Sequence, residues 1–279
     1  MRGPRGWAAS LLLHTPAGLR KFRQVPILGA ILHGVSRRIL PADELVWAQV
    51  SEGPGRGIWL ELSPRTGRNY LLGGVEHAVQ AAVTARLRAG DVFYDLGANI
   101  GFYSLLAARC IGAQGTIFSF EPDAMTAERL RRNVARNGFA NIHVIEAGVW
   151  SASGSLRFSP ADESSPDRGV GTFIGANGSS GKTVPTVAMD DFVPGAPPPD
   201  AIKCDVEGAE LEVFQGAEKL LRTHHPWILC EIHSQENGRA LREFLGRFGY
   251  TFEIVDSSHI LAAHESDPPD ADALRKGRE

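Results

Sequence analysis

An acidic residue followed by a glycine turn occurs at residues 94–104, which read YDLGANIGFYS. The residues before the turn, 91–94, predict a short buried strand, and apolar residues at helical spacing after it predict a helix. Such a turn leaves backbone N–H groups unpaired at the helix N-terminus, where a polar ligand can bind. The candidate ligand-binding residues of the turn are Asp95, Gly97, Asn99 and Gly101.

The turn argues against a nicotinamide dinucleotide and favours a cationic ligand. The dinucleotide fingerprint G-x-G-x-x-G has glycines where this chain has Asn99 and Phe102, so a pyrophosphate would meet side chains instead of bare backbone. Asp95 would also repel a phosphate, whereas its carboxylate attracts an ammonium or a sulfonium. S-adenosylmethionine carries both cations, and the turn therefore predicts that cofactor.

A second acidic residue, Glu121, follows the predicted strand 116–120. In doubly wound sheets an acidic residue at this place, roughly 20 residues beyond the glycine turn, hydrogen-bonds ribose hydroxyls. The other interpretation of Glu121 is a helix N-cap, but Asp123 is better placed as the cap of a helix that ends at Gly138. Glu121 is therefore predicted to bind ribose.

Three further polar residues stand at the ends of two later strands and could do acid–base chemistry. Glu231 and His233 are two residues apart on the predicted strand 227–233, so their side chains share a face, and Asp205 ends the neighbouring strand. Methyl transfer from a sulfonium needs an aligned acceptor oxygen and a base, and His233, with an ordinary pKa of about 6.5, suits the base. The three could instead bind Mg²⁺, or only hold strand ends together with Lys203 as a buried partner. Base catalysis without a metal is the favoured hypothesis.

The sequence supplies a scaffold for these residues in its alternation of strands and helices. That alternation predicts an α/β fold with a doubly wound, mostly parallel sheet and one antiparallel strand near the edge. Ligands bind such sheets beyond the carboxyl ends of the strands. The residues expected there are Asp95, Glu121, Glu146, Asp205, Glu231 and His233. This set suits a cationic cofactor and a polyhydroxylated substrate better than an anion.

The chain divides into three predicted parts: an N-terminal helical segment and β-hairpin at 1–75, the α/β domain at 76–264, and a disordered tail at 265–279. A Gly/Ser-rich stretch at 159–182 predicts a flexible loop, either an idle insertion or a cover that closes over the acceptor. Basic residues flank the apolar patch 25–32, which could contact a membrane surface peripherally. Helices packed on the domain or on a partner subunit, which would allow a homo-oligomer, are the favoured interpretation.

Composition is that of an ordinary globular protein of 279 residues, with 43% hydrophobic and 22% charged residues. The net charge of −3 gives no reason to expect nucleic acid as a partner. The 3 cysteines show no C-x-x-C spacing, which argues against a zinc site or a disulfide framework and fits the cytoplasm. The apolar run at 7–13 is too short to be a transmembrane span.

Four motifs in this order resemble the FkbM-type methyltransferases: DLGANIG, FEP, IKCDVEGAELEVFQGA and ILCEIH. The resemblance extends over about residues 45–264 and includes GGVEHAVQ, in which Glu76 corresponds to the glutamate that the family carries ahead of the first main strand. The segment DVEGAE at 205–210 makes the match specific, because the glycine motif alone indicates only a methyltransferase.

The resemblance implies a class I, Rossmann-like fold with a seven-stranded sheet. It also implies dependence on S-adenosylmethionine and O-methylation of a hydroxyl on a sugar, glycan or natural product. The residues implied to hold the methionine part are Asp95, Gly97, Asn99 and Gly101, with Glu121 at the ribose, the Glu146–Ala147 turn at the adenine edge, and Glu76 also at the cofactor.

A nucleic-acid base methyltransferase is the alternative function. Enzymes that methylate exocyclic amines usually carry an Asn/Asp-Pro-Pro-aromatic tetrapeptide after the fourth strand, where this chain has Asp205-Val206-Glu207-Gly208. The extra carboxylates would also repel phosphates. The sequence therefore favours a small-molecule or glycan acceptor.

Overall fold

The computed structural model describes residues 45–63, 67–160, 171–174 and 181–266. The described residues form two compact units, which divide along the chain between Val75 and Glu76. The predicted N-terminal helices with their apolar patch, and the predicted tail from residue 267 onward, lie outside the described residues. Within the described ranges, no helix is long and apolar enough to cross a membrane.

The first unit contains a β-hairpin, as the sequence predicts. Its strands, β1 (Val46–Gln49) and β2 (Trp59–Leu62), pair antiparallel with Val46 opposite Leu62. Alternate residues of both strands are buried, which is the pattern of a sheet that packs on one face. A single helical turn, α1 (Arg68–Leu71), follows the hairpin.

The second unit alternates helices and strands. In chain order its elements are α2 (His77–Arg86), β3 (Val92–Leu96), α3 (Phe102–Ile111), β4 (Thr116–Phe120), α4 (Ala124–Asn137), β5 (Ile142–Ile145), β6 (Gly148–Val149), β7 (Gly154–Ser159), β8 (Thr172–Ile174), β9 (Lys182–Val187), α5 (Met189–Phe192), a 3-10 turn (Val193–Gly195), β10 (Ala201–Cys204), α6 (Glu210–Gln215), α7 (Glu218–Thr223), β11 (Trp227–Glu231), α8 (Gln235–Gly246), β12 (Tyr250–Ile254) and β13 (His259–His264).

The main sheet has seven strands in the order β12-β13-β11-β10-β3-β4-β5. All neighbours pair parallel except β13, which runs antiparallel to both β11 and β12. The predicted doubly wound sheet with one antiparallel strand near the edge is confirmed. Because the chain first winds from β3 to β5 and then crosses to β10, a crevice opens beyond the carboxyl ends of β3 and β10.

Two helix boundaries confirm predictions from local sequence. The Asp123 side chain caps α4 by accepting from the Thr126 N–H at 3.0 Å, and Gly138 ends the helix in the left-handed region at φ 75°. Helices α6 and α7 are separated at Gly216, where a Cβ atom would lie 2.3 Å from the Trp150 carbonyl oxygen. That close approach leaves room only for glycine.

A second, smaller sheet with the order β6-β9-β7-β8 corrects the prediction of a loop throughout 159–182. Strand β8 falls inside that stretch and pairs antiparallel with β7. The Phe173 ring packs 5.5 Å from Phe158 and 5.2 Å from Trp150, measured between centroids. The three residues of β8 lie between glycine-rich segments, so their own sequence is too short to predict a strand. Contact with aromatic rings from distant parts of the chain stabilises it. The remainder of the predicted cover, 161–170 and 175–180, lies outside the described residues.

Candidate active site

The glycine turn after β3 packs closely against the chain at two positions, Gly97 and Gly101. Gly97 has φ 80°, and a Cβ there would lie 1.8 Å from the Asp205 carbonyl oxygen at the end of β10. Gly101 has φ 85°, and its Cβ would lie 2.9 Å from a Leu130 side chain of α4. Asn99 between them also has a positive φ of 49°. The turn therefore touches the strand end that carries Asp205.

Asp95 lies beneath this turn in a buried polar network. Its side chain is 1% exposed, and its Oδ2 accepts a hydrogen bond of 2.5 Å from Ser104, whose hydroxyl is 2.8 Å from that of Ser119. Burial raises the pKa of Asp95, and the ammonium of Lys203 opposes that rise. Its Oδ1 is buried and accepts no hydrogen bond from the described part of the chain. Asp95 thus has one acceptor oxygen available for a donor.

Glu121 lies beside the turn, as predicted, and does not cap α4. One carboxylate oxygen accepts from the backbone N–H of Asn99 at 3.0 Å, and the other accepts from that of Asp123 at 2.9 Å. Only 7% of the residue is exposed, and this burial raises its pKa to about 8. The two backbone donors fix the carboxylate while leaving lone pairs for ligand hydroxyls.

Glu146 is bound to α4 at the end of β5. Both terminal nitrogens of Arg131 lie 3.1 Å from one Glu146 oxygen, and 42% of the Glu146 side chain is exposed. An exposed pair of this kind stabilises a fold by about 1 kcal/mol at most. The role of Glu146 at the adenine edge stays a prediction.

Glu76 precedes α2 with a left-handed backbone at φ 45°. Its carboxylate accepts a 2.5 Å hydrogen bond from the hydroxyl of Tyr103, the second residue of α3. The ammonium of Lys203 lies 4.8 Å from the centre of the same tyrosine ring. Glu76 therefore belongs to the polar cluster around Lys203, although 19 residues separate it from Asp95 along the chain.

The three predicted catalytic residues come together at the ends of β10 and β11. One ligand-type atom from each of Asp205, Glu231 and His233 lies within 4.8 Å of the others. Lys203, only 3% exposed, places its ammonium 3.1 Å from Asp205 and is the buried partner that the sequence suggested. Burial would lower the Lys203 pKa, but Asp205, Asp95 and Glu76 outweigh it and raise that pKa above its ordinary value.

His233 does not keep the ordinary pKa on which its predicted role as a base depends. Strand β11 ends at Glu231, and His233 lies in the loop beyond it, with Nδ1 2.8 Å from Glu210 and Nε2 3.4 Å from Glu207 and 3.8 Å from Asp205. Hydrogen bonds to Glu207 and Glu210 raise its pKa to about 10. An imidazolium has no lone pair for a substrate proton, so this premise was wrong.

Glu231 is the member of the cluster that titrates near neutrality. Burial and the Asp205 carboxylate raise its pKa to about 7. Burial alone would also raise the pKa of Asp205, but Lys203 outweighs it and holds that pKa below its ordinary value. The pair is thus divided into an ionised Asp205 and a Glu231 able to gain or lose a proton.

The carboxylates of the cluster already pair with two cationic side chains, Lys203 and His233. A divalent ion bound by Asp205 would share that carboxylate with the Lys203 ammonium and would face the protonated His233. Like charges at these distances repel strongly where water is scarce. The residues therefore fit an organic acceptor better than Mg²⁺.

Sequence analysis missed four polar residues that shape the cluster: Glu207, Glu210, Asn237 and His259. Glu210 is fully buried at the start of α6 and accepts from the Gly208 N–H at 2.9 Å, from His233 and from the Asn237 amide. Its presence in the DVEGAE segment was the available signal. His259 belongs to β13, and no local pattern indicates its neighbours.

The chain was compared with known proteins. A family model described as the methyltransferase FkbM domain matches residues 95–252. The chain belongs to the FkbM methyltransferase family. Its FkbM domain therefore includes the glycine turn, Glu121, Asp205, Glu231 and His233, while Glu76 and His259 lie outside the matched range.

Two curated relatives of this FkbM methyltransferase carry names that mention an acceptor. The hexuronic acid methyltransferase AglP of Haloferax volcanii is 29% identical over 63% of this chain and 72% of its own. The 31-O-demethyl-FK506 methyltransferase FkbM of Streptomyces tacrolimicus is 26% identical over 77% and 88%. A crystal structure of a methyltransferase FkbM from Methylobacillus flagellatus aligns with a TM-score of 0.48 at 18% identity, over 64% of this chain and 44% of that one.

The FkbM methyltransferase is thus an S-adenosylmethionine-dependent enzyme, and the described residues fit that cofactor. Asp95 offers a buried oxygen that accepts no hydrogen bond from the described residues, which suits an ammonium donor. Glu121 offers a fixed carboxylate, which suits the two hydroxyls of a ribose. These observations depend on side chains that the family match alone does not locate.

Proposed function

We propose that this FkbM methyltransferase transfers a methyl group to a hydroxyl of a sugar, glycan or natural product. The observation that carries the proposal is the approach of the glycine turn to the carboxyl end of β10, with Gly97 against the Asp205 carbonyl. It puts the predicted cofactor residues beside an acid–base cluster. The names of the relatives AglP and FkbM support acceptors of this kind.

In this proposal the cofactor is held at the ends of β3 and β4. Asp95 accepts from its ammonium, Glu121 from its ribose hydroxyls, and Glu76 supports the site through Tyr103. The glycine turn contributes its backbone. S-adenosylmethionine, when bound, would supply a methyl group on a sulfonium, and a thioether leaving group needs no proton.

The acceptor hydroxyl is aligned by the cluster at the ends of β10 and β11. The Glu231 carboxylate accepts the hydroxyl proton as the new O–C bond forms, because its pKa of about 7 leaves it able to take a proton at neutral pH. The protonated ring of His233, held by Glu207 and Glu210, adds a positive charge beside the cluster. Asp205, paired with Lys203, keeps its charge throughout.

An acceptor screen with isotopically methyl-labelled S-adenosylmethionine tests the proposal. The panel holds hexuronic acid glycosides, neutral sugars, polyketides and nucleic acids, and mass spectrometry locates the label. A label on a sugar or natural-product oxygen is expected, and a label on a nucleic-acid base would overturn the proposal. Activity lost to a chelator and restored by Mg²⁺ would replace the metal-free mechanism.

The base is tested by Glu231→Gln, which preserves shape and removes the charge. Turnover should fall by about 10²–10⁴-fold, the range for loss of a general base, while calorimetry finds cofactor affinity unchanged. Glu265→Gln is the matched control, because Glu265 also directly follows a strand of the main sheet but is exposed and has no part in the proposed site. Equal effects of the two substitutions would remove Glu231 from the mechanism.

A further inference from the structure

A buried histidine outside the predicted site faces Glu231. His259 is 2% exposed and is the first residue of β13, directly opposite Glu231 in the antiparallel pairing of β11 and β13. Its Nε2 is 3.6 Å from Glu231 Oε2 and 3.9 Å from Glu76 Oε2. No hydrogen bond within the described ranges reaches this nitrogen.

The other ring nitrogen of His259 is fixed by Asp256. A single oxygen of Asp256 lies 2.9 Å from His259 Nδ1 and accepts from the backbone N–H groups of Ser258 and His259, each at 2.9 Å. Burial alone would raise the pKa of Asp256, but these donors outweigh it and keep the pKa below its ordinary value. An ionised carboxylate can only accept, so Nδ1 donates its hydrogen to Asp256, and Nε2 is the ring nitrogen left facing Glu231.

His259 Nε2 lies 3.6 Å from an oxygen of the carboxylate that we propose as the base. The other charged groups around Glu231 come from every neighbouring element: Asp205 at the end of β10, His233 after β11 and Glu76 before α2. His233 is engaged by Glu207 and Glu210. Asp205 can share a hydrogen bond with Glu231, but Lys203 holds the Asp205 pKa below its ordinary value, which makes this carboxylate a weak base. His259 Nε2 is therefore the more basic neighbour for a proton that arrives on Glu231.

We propose that His259, oriented by Asp256, is a positioning residue that shares with Glu231 the proton taken from the acceptor hydroxyl. This inference rests on the proposed function. The acceptor O–H bond breaks as its oxygen takes the methyl group, and the proton binds Glu231. It then passes to His259 Nε2, the imidazolium pairs with Asp256, and Glu231 recovers its charge. The proton returns through Glu231, which is 23% exposed, to water after the product leaves.

Kinetics on His259→Gln test the inference, with p-nitrophenyl β-glucuronide as the hexuronic acid acceptor. We expect kcat to fall by about 10–100-fold, the scale for partners of a reacting group, with KM and cofactor affinity unchanged. The acidic limb of the kcat profile should move to higher pH, because Glu231 no longer shares its proton. His264→Gln, the same substitution at the other end of β13, is the control and should leave both unchanged.

A double variant separates a role through Glu231 from a merely structural one. If His259 acts through Glu231, Glu231→Gln with His259→Gln should turn over no more slowly than Glu231→Gln alone. Multiplying losses would overturn the inference. So would a full-rate His259→Gln beside a slow Glu231→Gln, a result that leaves the proposed function standing. A full-rate Glu231→Gln would overturn both.

An acceptor-free measurement keeps the inference testable if the glucuronide is not methylated. With ¹⁵N-labelled histidine, the Nε2 resonance of His259 should shift as pH crosses about 7, where Glu231 titrates, and the shift should vanish in Glu231→Gln. An Nε2 resonance whose pH dependence is the same in the wild type and in Glu231→Gln would overturn the inference. A shift produced by Mg²⁺ or Zn²⁺ at constant pH would instead assign Glu76, Glu231 and His259 to a metal.

Discussion

At the scale of single residues, the site depends on carboxylates whose surroundings divide their tasks. Glu121 and Glu231 are buried enough to hold a proton near neutrality, whereas Asp205 stays ionised beside Lys203. Each task therefore has its own pH signature. Two predictions follow from Glu121 and Asp95.

Cofactor binding should strengthen as pH rises toward 8. Burial raises the Glu121 pKa to about 8, and the ionised carboxylate accepts stronger hydrogen bonds from ribose hydroxyls than the protonated acid does. Below that pKa each bound cofactor must displace a proton, so the dissociation constant should rise by about tenfold per pH unit between pH 7 and 6. Calorimetry from pH 6 to 9 measures this slope. Glu121→Gln should bind the cofactor weakly, and its dissociation constant should not show this dependence on pH. A flat wild-type profile would remove Glu121 from the ribose site.

Asp95→Asn should weaken cofactor binding by about 1–3 kcal/mol, the scale of a lost charge-assisted hydrogen bond. Ser119→Ala is the control, because Ser119 joins the same buried network through the Ser104 hydroxyl and its own side chain makes no hydrogen bond to Asp95. Calorimetry measures affinity and thermal unfolding measures stability for both variants. Unchanged affinity in Asp95→Asn would mean that Asp95 only braces the turn.

At the scale of elements, the glycine turn joins the cofactor residues to the acid–base cluster. The backbone of β10 passes so close to Gly97 that any side chain there would push the two strand ends apart. The turn thus couples two parts of the site that lie far apart in sequence.

Gly97→Ala should therefore cost stability beyond backbone strain. Both Gly97 and Gly138 have positive φ, 80° and 75°, but a Cβ at Gly138 meets nothing within 4 Å. Gly138→Ala should cost about 1–2 kcal/mol from left-handed strain alone. Gly97→Ala should add about 1–3 kcal/mol for the clash with Asp205 and should lose cofactor binding. Denaturant unfolding measures the free energy of unfolding of both variants. Equal losses would show that the ends of β3 and β10 move apart without cost.

The sequence predicted those elements whose signals are local. Runs of apolar residues predicted the central strands, and Asp123 and Gly138 predicted the bounds of α4. Strand β8 and the partnership of Glu231 with His259 could not be predicted, because pairing with distant segments creates them. The prediction of an ordinary pKa for His233 was wrong for the same reason, because Glu207 and Glu210 approach the ring only after the chain folds.

At the scale of the whole molecule, stability should fall as pH rises from 7 to 9. The His233 pKa is raised to about 10 in the folded protein, from an ordinary value of 6.5. The folded state therefore binds an extra proton between those values, and stability present below pH 6.5 is lost as pH rises through about 10. Glu121 and Glu231 act in the same direction, but their contribution is lost by about pH 8 and 7 respectively.

Thermal unfolding across this range measures the effect. His233→Gln should unfold at a lower temperature than the wild type at pH 7 and should show a flatter decline between pH 8 and 9. His264→Gln provides the comparison for loss of a histidine outside the cluster. A wild-type unfolding temperature that rises over this interval would contradict the carboxylate surroundings of His233.

The reversed direction of β13 has a consequence for how this chain can vary. His259 reaches Glu231 only because it is the first residue after the short connection from β12, so the length of that connection fixes its place. One inserted or deleted residue would either slip the register, turning every β13 side chain to the opposite face, or move the imidazole away. In a library of single-residue insertions and deletions, residues 255–258 should tolerate almost none, although they form a surface turn.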